Sequence, residues 1–172
     1  FTPYTVRGLT LKNRVVVSPM AQYSAVDGVA GDYHLMHLGA RAMGGAAMVF
    51  AEMTCVSAQG RITPGCPGMY EPGHKQAWKR ITDWIHANTD AKFAMQIGHA
   101  GAKASTRLAW EGIDQPLVDA NWPIVSASEQ QYLPGVSQTA KAMTLEDMAQ
   151  VKADFVRSAQ DAADIGVDWL EL

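Results

Sequence analysis

The sequence has few cysteines, no long apolar run and no excess of positive charge. Cys55 and Cys66 are the only thiols in 172 residues. They show no C-x-x-C spacing, which argues against a zinc or dithiol redox centre. Two cysteines in a chain of this size read as reduced thiols in a cytoplasmic protein. Basic side chains number 14 against 17 acidic ones, a formal charge of −3. Nucleic acid and an anionic membrane surface are therefore not expected partners. The longest apolar run, Ala42 to Ala51, is too short to cross a bilayer. No basic segment followed by a hydrophobic one comes after Phe1, so no secretory leader is expected. The G-x-G-x-x-G fingerprint, the P-loop and the G-x-S-x-G elbow are missing. What is present is one domain's worth of chain, residues 1–172, with 48% hydrophobic residues and enough length for a real core.

The hydrophobic pattern alternates between strand and helix. Val6 and Leu9 flank an Arg7-Gly8 turn, so Phe1 to Lys12 reads as a hairpin. Val15-Val16-Val17, stopped by Ser18-Pro19, has the signature of a strand buried on both faces. Asp32 is a candidate N-cap for a helix with Leu35, Leu38 and Ala42 on one face and a stop at Gly44-Gly45. Ala46 to Ala51 reads as a second buried strand ending in Glu52. A helix carrying Trp78, Ile81 and Ile85 follows, ending near Asn88, and Lys92 to Ile97 is a third strand. His99 to Met143 shows turn residues throughout and no helical period. Its 45 residues far exceed the about 2–6 of ordinary connections, which points to a functional loop. Thr144 and Asp147 then open a helix in a capping-box arrangement. Its apolar stripe is Leu145, Met148, Val151, Phe155, Ala159 and Ala162, and Gly166 stops it. Val167 to Leu172 begins a fourth strand.

This order implies an α/β fold with a parallel sheet and right-handed crossovers. An open doubly wound sheet and the first half of a (β/α)8 TIM barrel both fit. The missing dinucleotide fingerprint after the first strand favours the barrel, here its N-terminal hairpin and first four strands with three helices. In either case the site lies at the C-terminal ends of the strands. Pro19 lets the chain turn flat against a planar ligand, although an ordinary Ser-Pro turn explains it as well. Gln96, an amide inside an apolar strand, suits a flavin or pyrimidine edge, or equally a side chain on the next strand. Glu52 could act as a base, bind a ligand hydroxyl or pair with a cation. His99 is placed for acid/base or anion-binding work, or for a bond to the backbone. His34 and His37 lack the further ligands that a metal would need. Lys103, Arg107, Trp110, Trp122 and Tyr132 could hold a substrate over the rim or pack the long loop on itself.

Taken in order, several segments resemble the Old Yellow Enzyme family of FMN-dependent barrel oxidoreductases. They are Phe1-Thr2-Pro3-Tyr4, Leu11 to Val16, Ser18-Pro19-Met20, Tyr33-His34, Gln59-Gly60-Arg61-Ile62 and Gln96-Ile97-Gly98-His99-Ala100-Gly101. The resemblance implies FMN as cofactor and NADH or NADPH as reductant. Pro19, Met20, Ala21 and Met53 would lie against the flavin, and Gln96 would bond its pyrimidine edge. Tyr23 and His99 would face a small-molecule substrate. The reaction implied is reduction of an activated C=C bond, of enone or aryl-CoA type. Two departures stand out: Ala21 replaces a flavin-tuning cysteine, and Ala102 stands where many members have arginine. A narrower likeness, through Asp32-Tyr33-His34-Leu35, Gly60 to Cys66, Ala77 to Ile81 and Asn121-Trp122-Pro123, is to the reductase half of bifunctional salicylyl- or anthraniloyl-CoA monooxygenase/reductases. Four strands are half a barrel, so catalytic residues are expected after Leu172 and none within the segment. The segment alone is expected to be inactive, and a homo-oligomer stays open. The competing readings are a half-barrel assembly piece without activity and a non-redox phosphate-binding barrel lyase, which would want a lysine at a strand end.

Overall fold

A computed structural model describes residues 1–172. The hairpin pairs β1 (Tyr4–Val6) with β2 (Leu9–Leu11). Arg7 and Gly8 both take positive φ, 47° and 85°, as the tight turns that match strand twist require. Next come β3 (Val16–Val17), α1 (Asp32–Met43), β4 (Met48–Cys55), α2 (Pro72–Asn88) and β5 (Lys92–Gly98). The long connection holds a 3-10 turn (Gly101–Lys103), α3 (Ala109–Gly112), β6 (Val125–Ser126), β7 (Gln130–Gln131) and β8 (Thr139–Ala142). The chain closes with α4 (Leu145–Asp164) and β9 (Trp169–Glu171).

Local chemistry explains the helix boundaries. Gly31, one residue before the position expected, caps α1, and Asp32 sits in the first turn with Arg80 2.7 Å away. Its negative charge there opposes the helix dipole. Pro72 opens α2, where its missing N–H costs nothing. At α4 the Asp147 amide donates to Thr144 Oγ1 (3.1 Å) and the Thr144 amide donates to Asp147 Oδ2 (2.9 Å), the reciprocal cap expected from the spacing.

The main sheet runs β3-β4-β5-β9, every neighbouring pair parallel. Strands adjacent in sequence are adjacent in space, without the order reversal of a doubly wound sheet; this is the arrangement of a partial barrel. Side chains alternate between two faces. The outer face, with Val49, Ala51, Phe93, Met95 and Ile97, packs on Leu38 and Ala42 of α1, Trp78, Ile81 and Ile85 of α2, and Ala162 of α4. On the inner face, Met48, Phe50 and Ala94 meet Leu11, so the hairpin closes the end of the sheet where β4 begins. An open apolar cleft of about 330 Å³ remains there, lined by Val6, Leu9, Leu11, Val16, Phe50 and Trp169 among others.

Four expectations are corrected. The first strand is not buried on both faces: Val17 packs against the outer core, but Val16 lines the open inner cleft and is 44% exposed. The second strand does not end at Glu52 but continues to Cys55, with a bulge between Ala51 and Thr54. The stripe of α4 meets the core only further along: Leu145 is 84% exposed, whereas Phe155 and Ala159 pack against the core and Ala162 is buried, with the polar Asp154 and Ser158 buried beside them. Periodicity reports which face is apolar, not how far along the helix that face meets the sheet. The long connection is not without strands: β8 pairs parallel with β6 and antiparallel with β7, over a small core of Ala104, Ile124 and Ala140.

Candidate functional site

The C-terminal ends of β3, β4 and β5 bring most of the sequence-derived candidates to one rim. Pro19 is half-buried, and Met20 and Ala21 are exposed, in the irregular connection after β3. Met53 sits at the bulge in β4. Its side chain occupies the space beside Gly98, where an added Cβ would come 2.9 Å from Met53 Cγ. Gly98 is therefore what admits Met53 at the strand end. Bulges of this kind re-aim side chains at sites.

Gln96 stands opposite Glu171 in the β5–β9 register and donates from Nε2 to Glu171 Oε1 at 2.7 Å. This is the neighbouring-strand bond that competes with a ligand role. It consumes one donor of the amide and leaves the carbonyl oxygen for another donor. Glu171 itself was not singled out from sequence; only its position on the alternating Val167–Leu172 run hinted that it would face the same way as Gln96.

Glu52 pairs with no lysine or arginine. Its buried Oε2 accepts from the Gln22 amide (2.8 Å) and the Tyr23 amide (3.2 Å). His34 Nε2 lies 3.2 Å from Oε1, off the hydrogen-bond axis. Tyr23 is half-buried with φ +50°, and burial pushes its hydroxyl above the ordinary 10.0, reinforced by Cys66 and opposed by Lys103. The phenol thus stays protonated near neutral pH, able to donate.

His99 follows β5 and packs over Gly60. Its Nδ1 accepts from the Gly101 amide at 3.1 Å, so a neutral ring carries its proton on Nε2, which is buried without a partner. Burial pushes its pKa below 6.5, with Asp154 acting the other way. The backbone bond anticipated as its ordinary role is present, and the second nitrogen is a spare donor. No hydrogen bond links His99 with Tyr23.

The cationic and aromatic loop residues pack largely on one another. Arg61 lies 4.7 Å over the Trp122 ring, and Trp122 Nε1 donates to Gln59 O at 3.1 Å. Lys103 holds Asp114 at 2.9 Å and lies over Tyr132, and Arg107 donates to Pro116 O. Trp110 is the exception, exposed on α3. Cys55 and Cys66 are free and buried. The Cys55 thiol donates to Met53 Sδ at 3.9 Å; its nearness brings Cys66 down to about 7, while burial pushes Cys55 well above 9.0. No group of three or more His, Cys, Asp or Glu side chains forms a metal-ligand set, and no helix is long and apolar enough to cross a membrane.

The family model described as NADH:flavin oxidoreductase / NADH oxidase matches residues 1–172. Among curated proteins, an NADH:flavin oxidoreductase of Gibberella zeae is 40% identical over 176 aligned residues, covering 100% of this chain and 42% of that protein. An NADPH dehydrogenase of Bacillus cytotoxicus is 42% identical over 174, covering 100% and 46%. The chain thus spans about half the length of the curated relatives it matches. Among solved structures, morphinone reductase in complex with tetrahydroNAD shares the fold at a TM-score of 0.83 and 23% identity, covering 99% of this chain and 47% of that one. Old Yellow Enzyme from Pichia sp. AKU4542 aligns at 0.82 and 26% identity, covering 99% and 44%.

Proposed function

Since the chain belongs to the NADH:flavin oxidoreductase / NADH oxidase family over residues 1–172, we propose that it forms the flavin-facing half of an FMN-dependent NADH or NADPH oxidoreductase. The observation that carries the reading is the grouping of one half-satisfied amide, Gln96, with the Pro19–Ala21 segment and Met53 at neighbouring parallel strand ends. An apolar, donor-poor floor with a single amide fits a planar heterocycle that is apolar on its face and polar along one edge. Bound FMN would supply hydride relay from the nicotinamide to the β-carbon of an activated alkene. The side chains of this half bind and orient. Pro19, which lacks an N–H, presents a flat apolar surface, and Met20, Ala21 and Met53 extend it. Gln96 fixes the orientation of the polar edge through its free carbonyl oxygen. Tyr23, held protonated, donates to a substrate oxygen; the Nε2–H of His99, buried against Gly60, reaches a substrate only when the ring turns outward. Activated enones and aryl-CoA thioesters are the substrate classes proposed.

The test uses the full protein that carries this chain. It is expected to purify with flavin absorbance that denaturation releases, and to oxidise NADH or NADPH with an enone as acceptor. Gln96→Leu removes one hydrogen bond to the cofactor and is expected to weaken FMN binding about tenfold, the equivalent of about 1–1.5 kcal/mol. A colourless protein that cannot be reconstituted with FMN would overturn the reading.

A further inference from the structure

The segment between β3 and α1 carries Pro19, Met20, Ala21 and Tyr23, yet no helix or strand ladder holds it. Its fixed point lies instead on β4. We propose that Glu52 is the positioning residue of this turn: its buried carboxylate grips the Gln22 and Tyr23 amides and so sets how Met20 to Tyr23 face the flavin and the substrate. This rests on the flavin reading above and adds a residue to it.

Two backbone N–H groups converge on Glu52. The amides of Gln22 and Tyr23 share Oε2, at 2.8 and 3.2 Å. His34, whose Nδ1 accepts from the Gly31 amide at 3.1 Å, stands beside the pair with Nε2 3.2 Å from Oε1 but off the hydrogen-bond axis. A carboxylate is an acceptor only, and its charge strengthens both amide bonds that Oε2 accepts. Glutamine keeps one acceptor oxygen for the two amides but loses that charge. Burying a carboxylate (Glu52 is 4% exposed) is costly, and an apolar residue would fill the space at less expense. What the carboxylate secures is therefore the shape of the turn.

That shape needs securing. Tyr23 has φ +50°, a left-handed conformation that a bulky side chain avoids unless its surroundings impose it. The turn is also backed by Gly65, where any Cβ would collide with the Tyr23 carbonyl, and the Ala25 amide donates to Gly65 O at 3.0 Å. Within the turn, Gln22 donates to Met20 O (2.9 Å) and accepts from Tyr33 Oη (2.7 Å). The turn is thus held by a carboxylate and closely backed by a glycine.

The experiment follows single-amide hydrogen exchange in the full protein, without and with FMN. In Glu52→Gln, exchange at Gln22 and Tyr23 is expected to accelerate about tenfold or more while Phe93 and Met95 of β5 keep their protection. FMN affinity is expected to fall by about the same factor. Tyr23→Gly removes the positive-φ cost, so Glu52→Gln should do less damage in that background. If Glu52→Gln does not fold, Tyr23→Gly should restore folding to the double variant. Unchanged exchange at the two amides, loosened amides with unchanged FMN affinity, or a double variant no better than Glu52→Gln alone would each overturn the proposal. If the unsubstituted protein takes up no FMN, the flavin reading fails, and the two amides in the apoprotein alone decide whether Glu52 holds the turn.

Discussion

His99 shows how one side chain ties burial to pH. Its pKa is held below 6.5 by burial, so the native state resists a proton that the unfolded chain accepts. Below about pH 6.5 the unfolded state binds more protons than the native one, and stability falls with falling pH; above it, both forms are neutral and the term vanishes. His99→Gln is therefore expected to shrink the loss of urea midpoint between about pH 8 and about pH 5. An unchanged loss would assign the acid sensitivity elsewhere, with His37, also lowered by burial and by Arg41, as the next group. At this scale the sequence was legible where a residue is odd for its element. An amide in an apolar strand marked Gln96, and a proline at a strand end marked Pro19. Glu52 was visible as a carboxylate beside an apolar run, but its bonds to two amides thirty and twenty-nine residues away in sequence were not. Nothing local records such a partner.

The elements were legible in proportion to their length and periodicity. The stripe of Trp78, Ile81 and Ile85 located α2, and the Thr144–Asp147 spacing located the start of α4, because both signals are contained within one or two turns. Thr144→Ala removes the side-chain acceptor for the Asp147 amide and is expected to cost about 1 kcal/mol. Urea unfolding of the variant checks this, and a loss well below that figure would mean that water replaces the cap. The three strands of the long connection have two to four residues each, too few for alternation to show. They exist because β8 finds partners in Val125–Ser126 and Gln130–Gln131, a tertiary event. The exposed start of α4 has the same origin, since the position of the sheet determines which part of an apolar stripe is covered.

On the scale of the molecule, the parallel, sequential β3-β4-β5-β9 order gives the sheet a helix-covered outer face and an apolar inner face. Val16 and the rest of the hairpin-side cleft lie open to solvent. Exposed contiguous apolar surface binds hydrophobic probes and promotes association. Residues 1–172 expressed alone are therefore expected to enhance anilinonaphthalene fluorescence and to self-associate as concentration rises. A concentration-independent monomer in sedimentation, with no dye response, would contradict this.

The sequence by itself determined the alternation of strand and helix, the N-terminal hairpin and the level of the rim where Pro19, Met53 and Gln96 meet. Each of these depends on spacing within a few residues, which hydrophobic burial and capping translate directly into local structure. The tertiary structure alone decided that β4 bulges at Glu52, that Glu52 takes the Gln22 and Tyr23 amides and that Gln96 is engaged by Glu171. These outcomes depend on which distant segments come into contact, and a hydrogen bond across a sheet leaves no periodic trace in the chain that makes it.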